Sequence, residues 1–453
     1  MKRRHEIDLT EGKMPGKIIA FALPVIFSGF FQTLFNVVDM MVVGKFVGDQ
    51  ALAAVGSTNS LINLMTQLFI GLSTGATIMI SRYFGARDNE RMSKSSHTAI
   101  MLGIVGGVFL AVFGFVFARM FLEAMGSPGD VIDLATTYIR IYFVGMPAVM
   151  LYNFSSSVMR AYGDNQRSLY FLMLSGVLNI VLNLVFVLVF HMSVEGVAIA
   201  TVASQGVAAV LNLVCLMKVD NGCRISLKKL KIWKDELLHI LRFGIPTGIQ
   251  SSVFSLSNVF IQSAINSFGS TAMAAHGAVT YLGNVLGNVS NGFANAATTV
   301  CSQNFGAGKK KRILRGWLIC LGYVVAIEAV LGIVSLFVSS YFMRIFTDNA
   351  ETVEIGVRVA KMYIPFWFIG GAMSSTSSAM RGMGVAVSPM VVTILGTCVL
   401  RIIWIYTIFA QFHILEVLYA CYPVTWFITG AAQMVMLLHR YKHLSFPVVE
   451  TQG

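Results

Sequence analysis

Charge is what this chain has least of. Only 12% of its 453 residues are Asp, Glu, Lys or Arg, about half of the rough quarter that a soluble domain carries. That scarcity excludes an ordinary soluble enzyme, a disordered scaffold and a secreted disulfide domain. Cysteine is sparse and unpatterned: Cys215, Cys223, Cys301, Cys320, Cys398 and Cys421 show no Cys-x-x-Cys spacing, so they outline neither a metal site nor a disulfide framework. No Gly-x-x-x-x-Gly-Lys-Ser/Thr loop is present, which removes ATP-driven transport. No nucleophile, carboxylate pair or ligand set assembles into a catalytic centre, so the chain is not expected to be an enzyme. The basic start at Met1 to Arg4 precedes an apolar run that is too long for a signal peptide. That run contains Pro24 and Asp39 and is expected to stay as an uncleaved first span.

Hydrophobic residues, by contrast, make up 56% of the chain and come in long runs. A helix needs about 20 mainly apolar residues to cross a hydrocarbon core of ~30 Å. Twelve stretches qualify, near 18–43, 52–80, 98–121, 136–159, 169–190, 195–217, 240–266, 271–300, 316–340, 358–380, 390–412 and 415–438. The expected fold is all-α and polytopic. The formal net charge of +12 would suggest nucleic acid in a soluble protein. Here 26 of the 33 Lys and Arg residues fall in alternate connections, all on one side if the amino terminus is cytoplasmic. The opposite loops near Gly126–Asp133, His191–Glu195 and Asn266–Thr271 hold none. This positive-inside asymmetry accounts for the charge without nucleic acid. It predicts a multi-pass protein of the plasma (inner) membrane with both termini cytoplasmic.

The chain also repeats itself at an offset of 221. Gly48, Ala51, Ala53, Ala54 and Gly56 recur as Gly269, Ala272, Ala274, Ala275 and Gly277. Phe84, Gly85 and Ala86 recur as Phe305, Gly306 and Ala307; Met159 and Arg160 recur as Met380 and Arg381. Pro24 and Pro246 match at 222, one residue having been inserted in the first loop. Two lobes of six spans follow, and six is even, so the lobes run parallel. Parallel repeats of this kind suit alternating access. The expected organisation is a first lobe over 1–217, a basic cytoplasmic linker over 218–236, a second lobe over 237–440 and a tail over 441–453.

With these residues in view, the sequence resembles the multidrug and toxic compound extrusion (MATE) family over about residues 15 to 440. The most specific parts are Pro24 to Gln32, the run Asn36 to Asp39 with Gly44 and Gly48, the Phe-Gly-Ala loops, and the turn from Met159 to Gly163 with its repeat partner. The resemblance is to a prokaryotic member, closer to the DinF-like branch than to sodium-coupled NorM-like members. It implies twelve helices in two lobes and exchange of organic cations and other amphiphiles for protons or sodium ions. No cofactor is expected beyond that ion. The partners implied are small amphiphilic or cationic molecules and the bilayer, and the protein is expected to be a monomer.

Two acids lie deep in spans, Asp39 and Glu328. A mid-span carboxylate costs about 2.5–3.5 kcal/mol on insertion scales, so it calls for a use or a partner. Asp39 matches the family's first-span acid, and the resemblance implies a coupling site of Asp39 with Asn153, Asn179 and Thr201. Asn183 stands where related branches carry a second acid. A single carboxylate leaves a less negative site and favours protons, with sodium at Asp39 the alternative. The second lobe lacks the carboxylates that sodium-binding branches place in spans seven and ten. Gln32, Asn36, Asn63, Gln67, Gln250, Asn258, Gln262, Asn284 and Asn288 are expected to line a substrate cavity. Pro24 and Pro246 are candidate hinges, because proline removes a backbone donor and kinks a helix. Glu328 and Arg401 could pair and offset each other's burial. The alternative function is a flippase or exporter for a lipid-linked or polyanionic precursor; that reading favours more spans and a strongly cationic centre.

Overall fold

The computed structural model describes residues 6–125, 129, 131–444 and 446. Most of the tail expected beyond 441 lies outside them, as do Met1 to His5 and part of the loop after Met125. Among the described residues twelve helical rods run in chain order. They are α1 (Met14–Phe46), α2 (Asp49–Ala86), α3 (Asn89–Ala124), α4 (Ile132–Val144 then Met146–Ala161), α5 (Asn165–Val189) and α6 (Val194–Lys218). Then come α7 (Lys234–Asn266), α8 (Ser270–Gly306), α9 (Lys310–Arg344), α10 (Ala350–Tyr363 through Trp367–Gly382), α11 (Val387–Phe412) and α12 (Leu415–Lys442). Eight of these are long and apolar enough to cross a membrane, or nine when the two halves of α4, bent by 49°, count as one span. The three that fall short, α7, α8 and α10, are the amide- and hydroxyl-rich spans of the second half. Helix is the required choice, because in hydrocarbon every backbone N–H and C=O must be satisfied within its own segment. At 1.5 Å per residue, the 38 residues of α2 reach about 57 Å, well past the hydrocarbon core.

Polar residues mark the helix starts. The side chain of Asp88 accepts from the Arg91 amide at the head of α3, and Asp164 accepts from the Arg167 amide at the head of α5, each satisfying an orphan donor of the first turn. Asp164 is fully buried and also pairs with the Arg167 guanidinium.

The repeat extends below sequence identity to conformation. Eight of the nine residues with positive φ form four pairs at offsets of 221 or 222: Gly48 with Gly269, Arg87 with Gly308, Gly163 with Gly384 and His191 with His413. Arg87 holds φ 60° where its duplicate uses glycine, although only glycine adopts that region without a steric penalty. Thr77 donates to the Ser157 carbonyl at 3.2 Å, and Thr298 repeats the bond to Ser378 at 3.4 Å. A π-helical turn at Val185–Val189 in α5 is matched by one at Ile405–Phe409 in α11.

The chain divides into two compact units. One comprises Met1–Asp8 and Phe27–Gly248, the other Leu9–Ile26 and Ile249–Gly453. In the first, α2 and the start of α7 approach backbone to backbone: a Cβ on Gly71 would stand 2.3 Å from the Gly248 nitrogen, and one on Gly75 2.4 Å from the Ile240 carbonyl oxygen. Small residues allow such approaches between membrane helices, where packing replaces the hydrophobic effect. The segment leading into α7 is fastened to the same unit. The Ser226 amide donates to His97 Nε2 at 3.0 Å, the Trp233 amide to Thr98 Oγ1 at 3.2 Å, and the Tyr83 hydroxyl to Glu236 Oε1 at 3.3 Å. In the second unit, the stretch before α1 is held by the end of α8 and the start of α9. Leu9 N donates to Gln303 Oε1 at 3.0 Å, and Arg312 Nη2 reaches the Leu9 and Gly12 carbonyls at 3.1 and 3.2 Å. Pro24 and Pro246 each lie two residues before the point where their helix leaves one unit for the other.

Candidate functional site

In the first unit, α1 carries Asp39 to within hydrogen-bonding reach of α5 and α6. Asn183 Nδ2 donates to Asp39 Oδ1 and, at 3.4 Å, to Asn179 Oδ1; Asn179 Nδ2 donates to Thr201 Oγ1 at 3.4 Å. The Thr201 hydroxyl donates to the Val197 carbonyl of its own helix at 2.9 Å and lies near Asp39. Asn179 and Asn183 are four apart, so they share one face of α5, and the π-helical turn beginning at Val185 follows at once. Such turns are often found at functional sites. Asn179 and Asn183 are buried, and Asn183 Oδ1 has no hydrogen-bond partner. Asn153 stands apart from this cluster: its Nδ2 bonds the Val149 carbonyl of its own helix at 2.8 Å. Tyr138 and Tyr142 on α4, stacked with their ring centroids 6.2 Å apart, lie within electrostatic reach of Asp39. The sequence reading missed them, and their spacing of four was the available signal.

The expected cavity residues divide by environment. Gln32, Asn36, Asn63 and Asn284 are exposed, while Gln67 and Asn288 are half-buried. Gln262 bonds Asn266 at 2.9 Å. Gln250 and Asn258 serve arginines instead: Gln250 Oε1 accepts from Arg381 Nη1 at 3.3 Å, and Asn258 Oδ1 accepts from Arg401 Nη1 at 3.4 Å.

The expected pairing of Glu328 with Arg401 is replaced by two separate sites. Glu328, fully buried on α9, accepts from the Ser290 hydroxyl of α8 and packs against the backbone of Gly371 on α10. Arg401, fully buried on α11, faces three rings: its guanidinium carbon lies 4.5 Å from the Tyr422 centroid, 5.3 Å from Phe254 and 6.0 Å from Trp426. Depth along two helices says nothing about their azimuths, and the azimuths separate these groups. Among the described residues no three His, Cys, Asp or Glu side chains gather as a metal site.

Parallel six-helix repeats, polar membrane helices and ionisable groups buried at mid-span define a polytopic transport protein. Comparison with known proteins makes the class specific. The MatE family model matches twice, over residues 24–185 and 246–407. Among curated relatives, the probable multidrug resistance protein YpnP of Bacillus subtilis is 28% identical over 394 residues, 87% of this chain and 88% of its own length. The probable multidrug resistance protein YoeA of the same organism is 30% identical over 384 residues, 83% and 82% of the two chains. A solved outward-facing MATE transporter of the MOP superfamily superposes with a TM-score of 0.91 at 23% identity, covering 98% of this chain and 99% of its own. The chain belongs to the MATE family of multidrug efflux transporters.

Proposed function

We propose that this protein is a secondary active antiporter that exports amphiphilic and cationic organic compounds in exchange for protons, by alternating access. The observation that supports this reading most is the Asp39 cluster: one carboxylate on a membrane helix, hydrogen-bonded by the Asn183 amide of a second helix and near the Thr201 hydroxyl of a third. Amide and hydroxyl donors can stabilise the ionised carboxylate and remain tolerable neighbours when it is protonated. The charge can therefore come and go without rebuilding the site. Sodium would need several oxygens converging on one point. Asp39 and the unpartnered Asn183 Oδ1 offer few, so the donor set favours the proton. Pro24 and Pro246, at the two places where a helix passes between units, are the proposed bending points. Both termini are proposed to be cytoplasmic, the ion to be the only cofactor-like species, and the monomer to be the working unit.

The deciding experiment is ethidium movement in liposomes carrying the purified protein, with a pH gradient or a sodium gradient imposed separately. Movement driven by the pH gradient in the wild type and absent in Asp39→Asn is the expected result. Sodium-driven movement would assign the cluster to that ion. No gradient-dependent movement of any cation would overturn drug export in favour of a lipid-linked or polyanionic substrate.

A further inference from the structure

Arg401 has a buried charge and no anion to answer it. Its residue surface is fully covered, and no ion pair among the described residues includes it. Its hydrogen bonds are weak. Nε reaches Thr425 Oγ1 at 3.4 Å, and Nη1 reaches Asn258 Oδ1 at 3.4 Å, both at the long edge of a hydrogen bond. The Thr425 hydroxyl is itself committed as a donor to the Cys421 carbonyl at 2.6 Å. Nη2 has no hydrogen-bond partner. A guanidinium offers five N–H donors in a planar fork that fits a carboxylate, and here most of that fork is unused.

The surroundings are shaped as a cage rather than as a salt bridge. Phe254, Tyr422 and Trp426 present rings to the guanidinium within 6.0 Å, and ring faces stabilise a cation while leaving its N–H edge available. Tyr422 and Trp426 lie four apart on α12, and their rings meet edge to face at 5.5 Å. Arg401 stands between two π-helical turns, Ile394–Val399 and Ile405–Phe409. Each such turn widens the helix by one residue and frees a carbonyl, a feature frequent at functional sites. Asn258 is the way in: its side chain is exposed while its Oδ1 touches Nη1. An anion that displaces this amide would trade a 3.4 Å neutral contact for a charge-assisted, two-pronged one.

We infer that Arg401, gated by Asn258 and walled by Phe254, Tyr422 and Trp426, is a binding subsite for the carboxylate of zwitterionic amphiphilic substrates. This rests on the antiporter reading and sharpens it: the substrates favoured are those carrying an anionic group beside the cationic one. The aromatic walls suit a planar apolar body next to the carboxylate. The carboxylate would take the charge that no protein acid supplies, and Asn258 would re-form its contact when the substrate leaves.

A matched pair of dyes tests this, a rhodamine methyl ester and the corresponding free acid. They share the cationic ring system and differ in one carboxylate. Equilibrium binding to purified protein in nanodiscs, by fluorescence polarisation in a low-salt HEPES buffer free of chloride and carboxylates, should favour the acid by about tenfold. Arg401→Gln should bring the acid-to-ester ratio close to one. Asn258→Asp, its folding checked by its thermal midpoint, should do the same by giving the guanidinium an internal counter-ion. Arg401→Lys should keep part of the preference, since it retains charge without the fork. Equal binding of the two dyes by wild type, or an undiminished preference in Asn258→Asp, would overturn the subsite. So would loss of the acid's advantage on adding chloride, because the site would then take a small inorganic anion. Absence of binding by both dyes overturns the subsite, and the antiporter reading itself fails only if ethidium too shows no gradient-driven movement. Ester export with no acid preference sinks only the subsite.

Discussion

The two lobes place opposite chemistries at matching positions. Asn36, Asn179 and Thr201 in the first correspond to Asn258, Arg401 and Tyr422 in the second, at offsets of 222, 222 and 221. Around them, Gln32 corresponds to Phe254 and Asp39 to the buried Ile261. One lobe therefore holds an acid among amides, the other a base among rings. Duplication supplied two identical scaffolds, and each was filled with a group that the other lacks. The same pattern recurs in plain packing. Phe69, Gly107 and Met150 of the first lobe correspond to Ser290, Glu328 and Gly371 of the second. Where one lobe is large, absent and large, the other is small, large and absent. The size at each position reverses between the lobes, and the second accommodates its buried Glu328 where the first has glycine.

The largest effect that could break this comparison comes from moving the acid. Asp39→Asn should lower gradient-driven efflux at least about a hundredfold, and adding Ile261→Asp should not restore it, because a buried carboxylate without its donors stays neutral. Recovery above roughly a tenth of wild-type transport in the double variant would show the lobes to be interchangeable. Next comes the close helix approach. Gly71→Ala and Gly75→Ala should each cost about 2–3 kcal/mol, since the new methyl meets backbone. In the second lobe a Cβ on Gly292 would meet the Ile26 side chain, 2.3 Å from its Cγ1, rather than backbone at that distance, and Ala296 already stands where Gly75 does, so Gly292→Ala should cost less than Gly71→Ala, about 1–2 kcal/mol. Thermal midpoints in detergent compare them, and equal losses would make the asymmetry irrelevant.

A finer test rebuilds one lobe's packing in the other. Gly371→Met alone must collide with Glu328, whose Oε2 would lie 2.1 Å from the new Cβ. Combined with Glu328→Gly and Ser290→Phe it should be relieved, with a coupling of about 1–3 kcal/mol across the cycle. Additive losses would disprove the coupling of the three positions. The smallest effect belongs to the starts of α1 and α7. Burial pushes the Glu236 carboxyl above its ordinary range, with the Tyr83 hydrogen bond partly opposing. A raised folded value means that the group's contribution is complete at pH below the unfolded carboxylate range. It is lost as pH rises through the folded value. Glu236→Gln should flatten the acid side of the stability profile and raise the midpoint slightly near neutrality. The matching position of the other lobe, Met14, is uncharged, so Met14→Gln should leave that profile's shape alone.

Much of the fold was legible because the bilayer imposes it. Apolar runs of sufficient length, basic connections and a repeat in one register left little choice of architecture. The polar α7, α8 and α10 count among the twelve apolar stretches, and the repeat supports them where hydropathy is marginal. The acid side of the candidate site was readable from residue types and the family resemblance, since Asn179 and Asn183 share a helical face and Asp39 had to find a donor. Asn153, read with them, turned to its own backbone instead, as an amide in a helix is free to do. The Arg401 cage was not legible. Phe254, Tyr422 and Trp426 look like lipid-facing aromatics until their helices are assembled, and only the third dimension shows what they surround.

The unit boundaries at Ile26 and Gly248 carry a consequence for how the molecule could be divided. A chain cut in the segment after Lys218 yields two fragments of similar length, each one copy of the ancient duplication. Neither fragment would own a complete folding unit. The amino-terminal piece would keep residues 9–26, which belong with the other unit, and lack residues 234–248, against which Gly71 and Gly75 are closed. Heredity divided this protein at its linker, but its architecture divides it inside two helices.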